Sequence, residues 1–241
     1  MISVTSCIVL ILAITASRKA SVSQISKLQN FMEWIVEFVE NIIGSTLGSK
    51  HGKVFMTLGV TLIMYIFIGN MIGLPFSIIT SHDINSSASI GGVPFISEET
   101  FKEVESEGHD SVHVLWWKSP TADASVTAGL ALIVILLSHY LGLTRNTKHY
   151  LKHYFEPYPI LFPLNVIKEI SKPLTLSLRL YGNIYAGEVM IAVIVGASWF
   201  GIVPLFIWQG FSVFVGAIQA FIFTMLAMVY ISQAMIHEDS H

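Results

Sequence analysis

The residues best suited to chemistry in this chain lie in one run, Leu176-Ser177-Leu178-Arg179-Leu180-Tyr181-Gly182-Asn183-Ile184-Tyr185-Ala186-Gly187-Glu188. An arginine at the centre of an apolar span costs about 2.5–3.5 kcal/mol on insertion scales. It cannot escape by losing its proton, because its pKa exceeds about 12. Such a charge marks an ion-handling site, or else a packing salt bridge with another span. Asn183 lies one turn along the same helix face as Arg179. Glu188 lies nine residues on, and nine steps of about 100° bring it to the opposite face, about 13.5 Å further along. Arg179 and Glu188 are therefore not a pair; they serve two surfaces. A carboxyl at such a depth suits a proton relay.

A second polar stripe follows in the last apolar segment. Ser212, Gln219 and Tyr230 are spaced by seven and eleven residues and so share one helix face. If the two segments form a hairpin, Ser212 comes level with Glu188 and Gln219 with Arg179. Gly182, Ala186, Gly187, Gly216 and Ala220 would let the backbones approach closely, and ordinary packing explains these glycines equally well, as it does Gly69 and Gly73. Asp123 opens an earlier span, where it either stabilises a helix N-terminus or lines a path toward Glu188. Glu169, beside Lys168, precedes Arg179 by ten residues and lines a second path or sits at an interface. His139 reads more readily as a satisfied helix histidine than as a relay.

The elements that must hold these groups follow from composition. Of the 241 residues, 53% are hydrophobic and 12% charged, about half the charge a soluble domain carries. A soluble globule could not cover its surface with so few charges, and disorder needs the reverse balance. The net charge of −3 attracts no nucleic acid. The one cysteine, Cys7, excludes an intrachain disulfide and a multi-thiolate metal site. No phosphate-binding glycine loop or dinucleotide fingerprint occurs, so no cofactor is expected. Charge-free stretches of near-membrane length predict an all-α integral membrane protein. Its spans fall at 1–17, 54–78, 120–143, 161–197 and 204–236, about five in all. Segment 22–47 is different. Ile25, Leu28, Phe31, Met32, Ile35, Phe38, Val39 and Ile42 recur at three- and four-residue spacing, which predicts an amphipathic interfacial helix.

The basic residues set the orientation. Segment 18–53 holds five and loop 144–160 holds three, while loop 81–119 holds two beside seven acids. The positive-inside rule then puts the N-terminus and loop 81–119 outside, and the other two segments and the C-terminus in the cytoplasm. Residues 205–236 carry no charge and no proline; as a helix they would reach about 48 Å, against a hydrocarbon thickness of about 30 Å. An ordinary tilt does not absorb that difference, so the C-terminal hairpin is expected to be strongly slanted.

At these residues the chain resembles the a subunit of F-type ATP synthase, in the form found in bacteria of the Bacillus kind. The carrying stretches are Gln29 to Trp34, Thr57 to Tyr65, Trp116 to Thr127, Leu176 to Glu188 and Gln219 to Leu226, and the arginine and glutamine blocks together are highly specific. The resemblance implies a non-catalytic subunit in the plasma membrane that carries protons, or Na⁺, past a rotating c-ring. Its partners would be that c-ring, the b subunits of the peripheral stalk, the rest of the synthase and the lipid bilayer. It implies that Arg179 is the essential arginine facing the ring carboxylates, and that Asn183, Glu188, Asp123 and Gln219 frame two offset half-channels. Some members carry histidine where Ser212 stands, so here a relay would use serine and water. Members also usually carry a segment before the first span, which leaves open a later start or a shortened chain here. The residues also leave open a secondary transporter or channel subunit, or a membrane scaffold without an ion path. A transporter would show inverted repeats, and no convincing repeat is present.

Overall fold

The computed structural model describes residues 1–18, 26–73, 79–83, 89–90, 93–94, 111–115, 118–145, 147, 150, 155, 158–196 and 198–235. Six helices run through them: α1 (Ile2–Arg18), α2 (Lys27–Gly52), α3 (Met56–Gly73), α4 (Ala124–Arg145), α5 (Phe162–Gly196) and α6 (Ile202–Met235). Four segments are long and apolar enough to cross a membrane: Lys53–Gly73, Ala124–Thr144, Phe162–Gly196 and Ile202–Met235. The first segment, expected as a fifth span, is a 17-residue apolar helix. At 1.5 Å per residue it measures about 26 Å, short of a full hydrocarbon thickness.

Segment 81–119 adds β-structure to the expected all-α fold. Two antiparallel pairs form there, Ile79–Asp83 with Ser111–Leu115 and Ser89–Ile90 with Val93–Pro94. The glycine pair at 91–92, the Asn85 sequon, most of loop 144–160 and residues 22–25 of the amphipathic segment lie outside the described residues.

Local sequence sets the helix ends. Ser26 caps α2, its side chain accepting the Gln29 N–H at 3.1 Å, in a serine-x-x-glutamine capping box. Gly48 has φ +70°, a backbone state that glycine alone adopts freely, and it kinks α2. The amphipathic reading of α2 holds on its inner face, where Ile35, Val39 and Ile42 are buried, while Phe31 is exposed. Pro173 sits inside α5 and cannot donate to the carbonyl of Glu169, four residues back.

Helix α6 is central: it packs against α2, α3, α4 and α5. One buried cluster joins Leu62 and Ile66 of α3, Ala131 and Val134 of α4, Leu176, Leu180 and Ile184 of α5, and Phe223 and Ala227 of α6. A second ties Ile35, Val39 and Ile42 of α2 to Met228 and Ile231 of α6. The Ser232 hydroxyl strengthens that seam by donating to the Thr46 carbonyl at 2.5 Å. Glycines allow the close approaches. A Cβ on Gly59 would meet Val39 Cγ1 at 2.8 Å, and one on Gly73 would meet the Ser119 backbone Cα at 2.4 Å.

Candidate functional site

Helix α5 displays Arg179 and Glu188 as their nine-residue offset requires. Glu188 is buried, 4% exposed, whereas Arg179 is exposed. Among the described residues Arg179 has no hydrogen-bond or ion-pair partner.

Around Glu188 the fold builds a buried polar network from four elements. Its Oε1 accepts the backbone N–H of Ser119 at 2.8 Å. The Ser119 hydroxyl donates to the Gly69 carbonyl at 3.2 Å and lies 2.8 Å from the Thr121 hydroxyl. Thr121 donates to Asn70 Oδ1, and Asn70 Nδ2 donates to the Gly216 carbonyl of α6 at 2.9 Å. Asn70 and Thr121 are completely buried. The other oxygen, Glu188 Oε2, is buried with no partner among the described residues, and so are Ser212 Oγ and Gln219 Nε2. A buried polar atom without a partner costs about 1–3 kcal/mol. Three of them on α5 and on the stripe of α6 mark a place where the protein forgoes stability.

The α5–α6 seam differs from the sequence expectation by one turn. Asn183, not Arg179, stands opposite Gln219, its Nδ2 donating to Gln219 Oε1 at 3.0 Å. Ser212 is buried as expected, yet it makes no direct bond to Glu188. Trp208 Nε1 instead donates to the Gly187 carbonyl at 3.2 Å, next to Glu188. Gly187 and Gly216 lie at the buried seam, whereas a Cβ on Gly182 would meet nothing within 4 Å.

Asp123 is exposed and caps α4. It accepts the Ser125 N–H at 2.9 Å and the Ser125 hydroxyl. The Ser125 hydroxyl first, then the backbone N–H, hold its carboxyl below the usual carboxylate range, with a smaller contribution from Lys118. The residue that reaches Glu188 is its neighbour Ser119, to which Thr121 is bonded. Ser119-Pro120-Thr121 reads as a polar loop, and a bond through a backbone N–H leaves no side-chain signal. Asn70 had a signal, as the one amide in the apolar stretch 54–80.

At the far end of α5, Glu169 Oε1 accepts Lys172 Nζ at 2.5 Å, and Oε2 lies 4.0 Å from His139 Nε2. Lys172 stands 5.5 Å over the Tyr230 ring. The Ser138 hydroxyl donates to the Tyr230 carbonyl at 2.8 Å. No group of three or more metal-ligating side chains occurs among the described residues.

A multi-pass helical bundle with a buried carboxyl and an exposed intramembrane arginine on opposite faces of one helix defines a membrane protein that handles ions within the bilayer. The comparisons with known proteins make this specific. The family model for the ATP synthase A chain matches residues 1–232. The chain is 46% identical over 257 residues to ATP synthase subunit a of Bacillus pumilus, covering 100% of this chain and 91% of the relative. It is 44% identical over 254 residues to ATP synthase subunit a of Bacillus subtilis, covering 99% and 91%. It is 46% identical over 241 residues to the same subunit of Staphylococcus carnosus, covering 96% and 87%. The chain belongs to the ATP synthase A chain family.

Proposed function

We propose that Arg179 and Glu188 serve two separate proton half-paths, one on each face of α5, against a ring of carboxylate-bearing subunits. As a member of its family the chain is a proton-translocating subunit of the membrane sector of F-type ATP synthase. The observation that carries the two-path reading is the opposed placement of a buried Glu188 and an exposed Arg179 on one helix.

In this reading a proton enters from outside past Asp123 at the mouth and reaches Glu188, held by the Ser119–Thr121–Asn70 network. Ser212 and Gln219, whose buried polar atoms suit water or a passing proton, and Asn183, bonded to Gln219, continue the lining. The proton then neutralises a carboxylate of the ring, and the neutral site turns into lipid. A site that comes round neutral gives its proton to the inner path near Tyr230 and Glu169, and the carboxylate so formed is drawn to Arg179, whose guanidinium stays protonated. Arg179 also keeps the two paths from merging into a leak. Each proton crossing 100 mV supplies about 2.3 kcal/mol for rotation. Helices α5 and α6, of 35 and 34 residues, would measure about 52 Å and 51 Å; a strong slant fits both in the bilayer and lets them follow a curved ring. The b subunits complete the stator. The C-terminus lies in the cytoplasm and the 81–119 segment outside.

The face is tested by cysteine cross-linking in the whole complex, with Cys7 replaced by serine so that no native thiol remains. Thr175→Cys and Ala186→Cys lie on the exposed face of Arg179 and are expected to cross-link to the ring. Ser177→Cys, buried at 8%, is expected not to. Cross-linking at Ser177 alone would place the ring on the wrong side of α5.

A further inference from the structure

We infer that His139, Glu169, Lys172 and Tyr230 form a proton-handling site at the end of the α4–α5–α6 bundle remote from Glu188, with His139 as the group that exchanges protons with the aqueous phase. The inference rests on the two-path reading above and names the residues of its inner exit. Glu169 precedes Glu188 by 19 residues on α5, about 28 Å along the axis, with Arg179 between them.

The tautomer of His139 is fixed by the fold. Its Nδ1 lies 2.9 Å from the Ile135 carbonyl, which only accepts, so Nδ1 carries the hydrogen in the neutral ring. The lone pair is then on Nε2, and Nε2 is the nitrogen that faces Glu169 Oε2 at 4.0 Å. Tyr150 holds the ring edge-on, with centroids 6.0 Å apart. The opposite oxygen of Glu169 is fixed by Lys172. The carboxylate thus presents one occupied and one open oxygen, and the open one points at a basic nitrogen.

The charged and titratable groups facing this pair come from every packed helix. Glu169 and Lys172 lie on α5, Tyr230 on α6, and Tyr150 follows α4. Tyr230 joins the cluster through Lys172, whose Nζ stands 5.5 Å over its ring. At its other end the His139 side chain is 33% exposed. A proton arriving on Glu169 Oε2 passes to Nε2 as the gap closes by about 1 Å into hydrogen-bond range. Glu169 returns to the carboxylate that Lys172 holds, and the imidazolium gives its proton to water and returns to the neutral ring. Reversed, the same steps take up a proton during ATP-driven pumping. Histidine is the side chain that ordinarily changes charge between pH 5 and 8, the range in which this exchange must run.

The test uses the whole complex in inverted vesicles, where the medium bathes this end. ATP-driven acidification is recorded against medium pH for the wild type, His139→Gln and His139→Asn, the last able to keep a donor toward Ile135. Removing the group is expected to cut pumping on the order of tenfold, less than full loss of a general acid–base because Glu169 remains. It is also expected to flatten the dependence between pH 5.5 and 8. Imidazole in the medium is expected to restore the rate in both variants but not in the double variant with Glu169→Gln. A uniform fall with an unchanged pH profile and no rescue would make His139 a packing residue and overturn the inference, as would unchanged pumping. If Arg179→Ala still pumps, the two-path reading itself fails; if it does not and the His139 profiles match wild type, only this inference fails.

Discussion

Gly73→Ala is a sharp test of how Glu188 is held. A Cβ at this position would lie 2.3 Å from Ser119 Cβ, 2.4 Å from its Cα and 2.7 Å from its N. Ordinary carbon contact begins near 3.5 Å, so the Ser119 backbone must retreat by about 1.2 Å. Two of these atoms are backbone and the third is the Cβ fixed to them, so none can rotate away. The Ser119 N–H donates to Glu188 Oε1 at 2.8 Å. A retreat along that line opens the bond to about 4 Å, outside the range of a hydrogen bond. The overpacking costs about 1–3 kcal/mol. A hydrogen bond to a charged group is worth a further ~1.5–3 kcal/mol, and a 1 Å misplacement of a reacting group costs up to about 100-fold in rate. ATP-driven acidification of inverted vesicles is therefore expected to fall by about 10- to 100-fold in Gly73→Ala, with the subunit still assembled by immunoblot. Gly129→Ala is the control, since its Cβ would meet nothing within 4 Å, and it is expected to pump as wild type. Wild-type pumping in an assembled Gly73→Ala complex would refute the argument that the Ser119 loop poses Glu188.

Three further outcomes are expected. Asn183→Leu leaves Gln219 Oε1 without its 3.0 Å donor; Asn183→Leu and Gln219→Leu should each slow pumping, and the double variant should fall short of the summed losses by up to about 1.7 kcal/mol, the ceiling for such pairs in membranes. Asp123 has a depressed carboxyl pKa set first by the Ser125 hydroxyl, so its contribution to stability is complete above the unfolded value of about 3.9 and is lost only as pH falls through the lower folded value; Asp123→Asn is expected to leave the shape of the pumping profile unchanged between pH 5 and 8. Ser232→Ala removes the 2.5 Å bond to the Thr46 carbonyl and is expected to lower detergent stability by about 0.6–1.7 kcal/mol, with pumping retained.

The charged parts of this site were legible in the sequence because charge in an apolar run is costly and therefore conspicuous. Arg179 and Glu188 fall on opposite faces of α5 as the nine-residue spacing requires, and Ser212 and Gln219 are buried along one stripe of α6. Spacing alone did not show that Gln219 bonds Asn183 rather than Arg179 one turn away, because residue counting carries no information on how far each side chain reaches across the seam. The Ser119–Thr121–Asn70 network escaped notice for a different reason. Its members are small and neutral, and its key bond comes from a backbone N–H, which every residue but proline could supply. His139 looked like a histidine satisfied within its own helix; Nδ1 is so satisfied, and only the packing of α5 reveals what faces Nε2. The pairing of Ile79–Asp83 with Ser111–Leu115 joins segments 27 residues apart, too far for a local turn signal to announce.

The central claim is that Arg179 is the stator charge between two proton paths. Its most direct test is ATP-driven acidification of inverted vesicles carrying Arg179→Ala in the intact complex, with passive proton leak recorded alongside. Pumping should vanish while the complex still assembles. Pumping that survives unchanged would make the arginine structural and contradict the account.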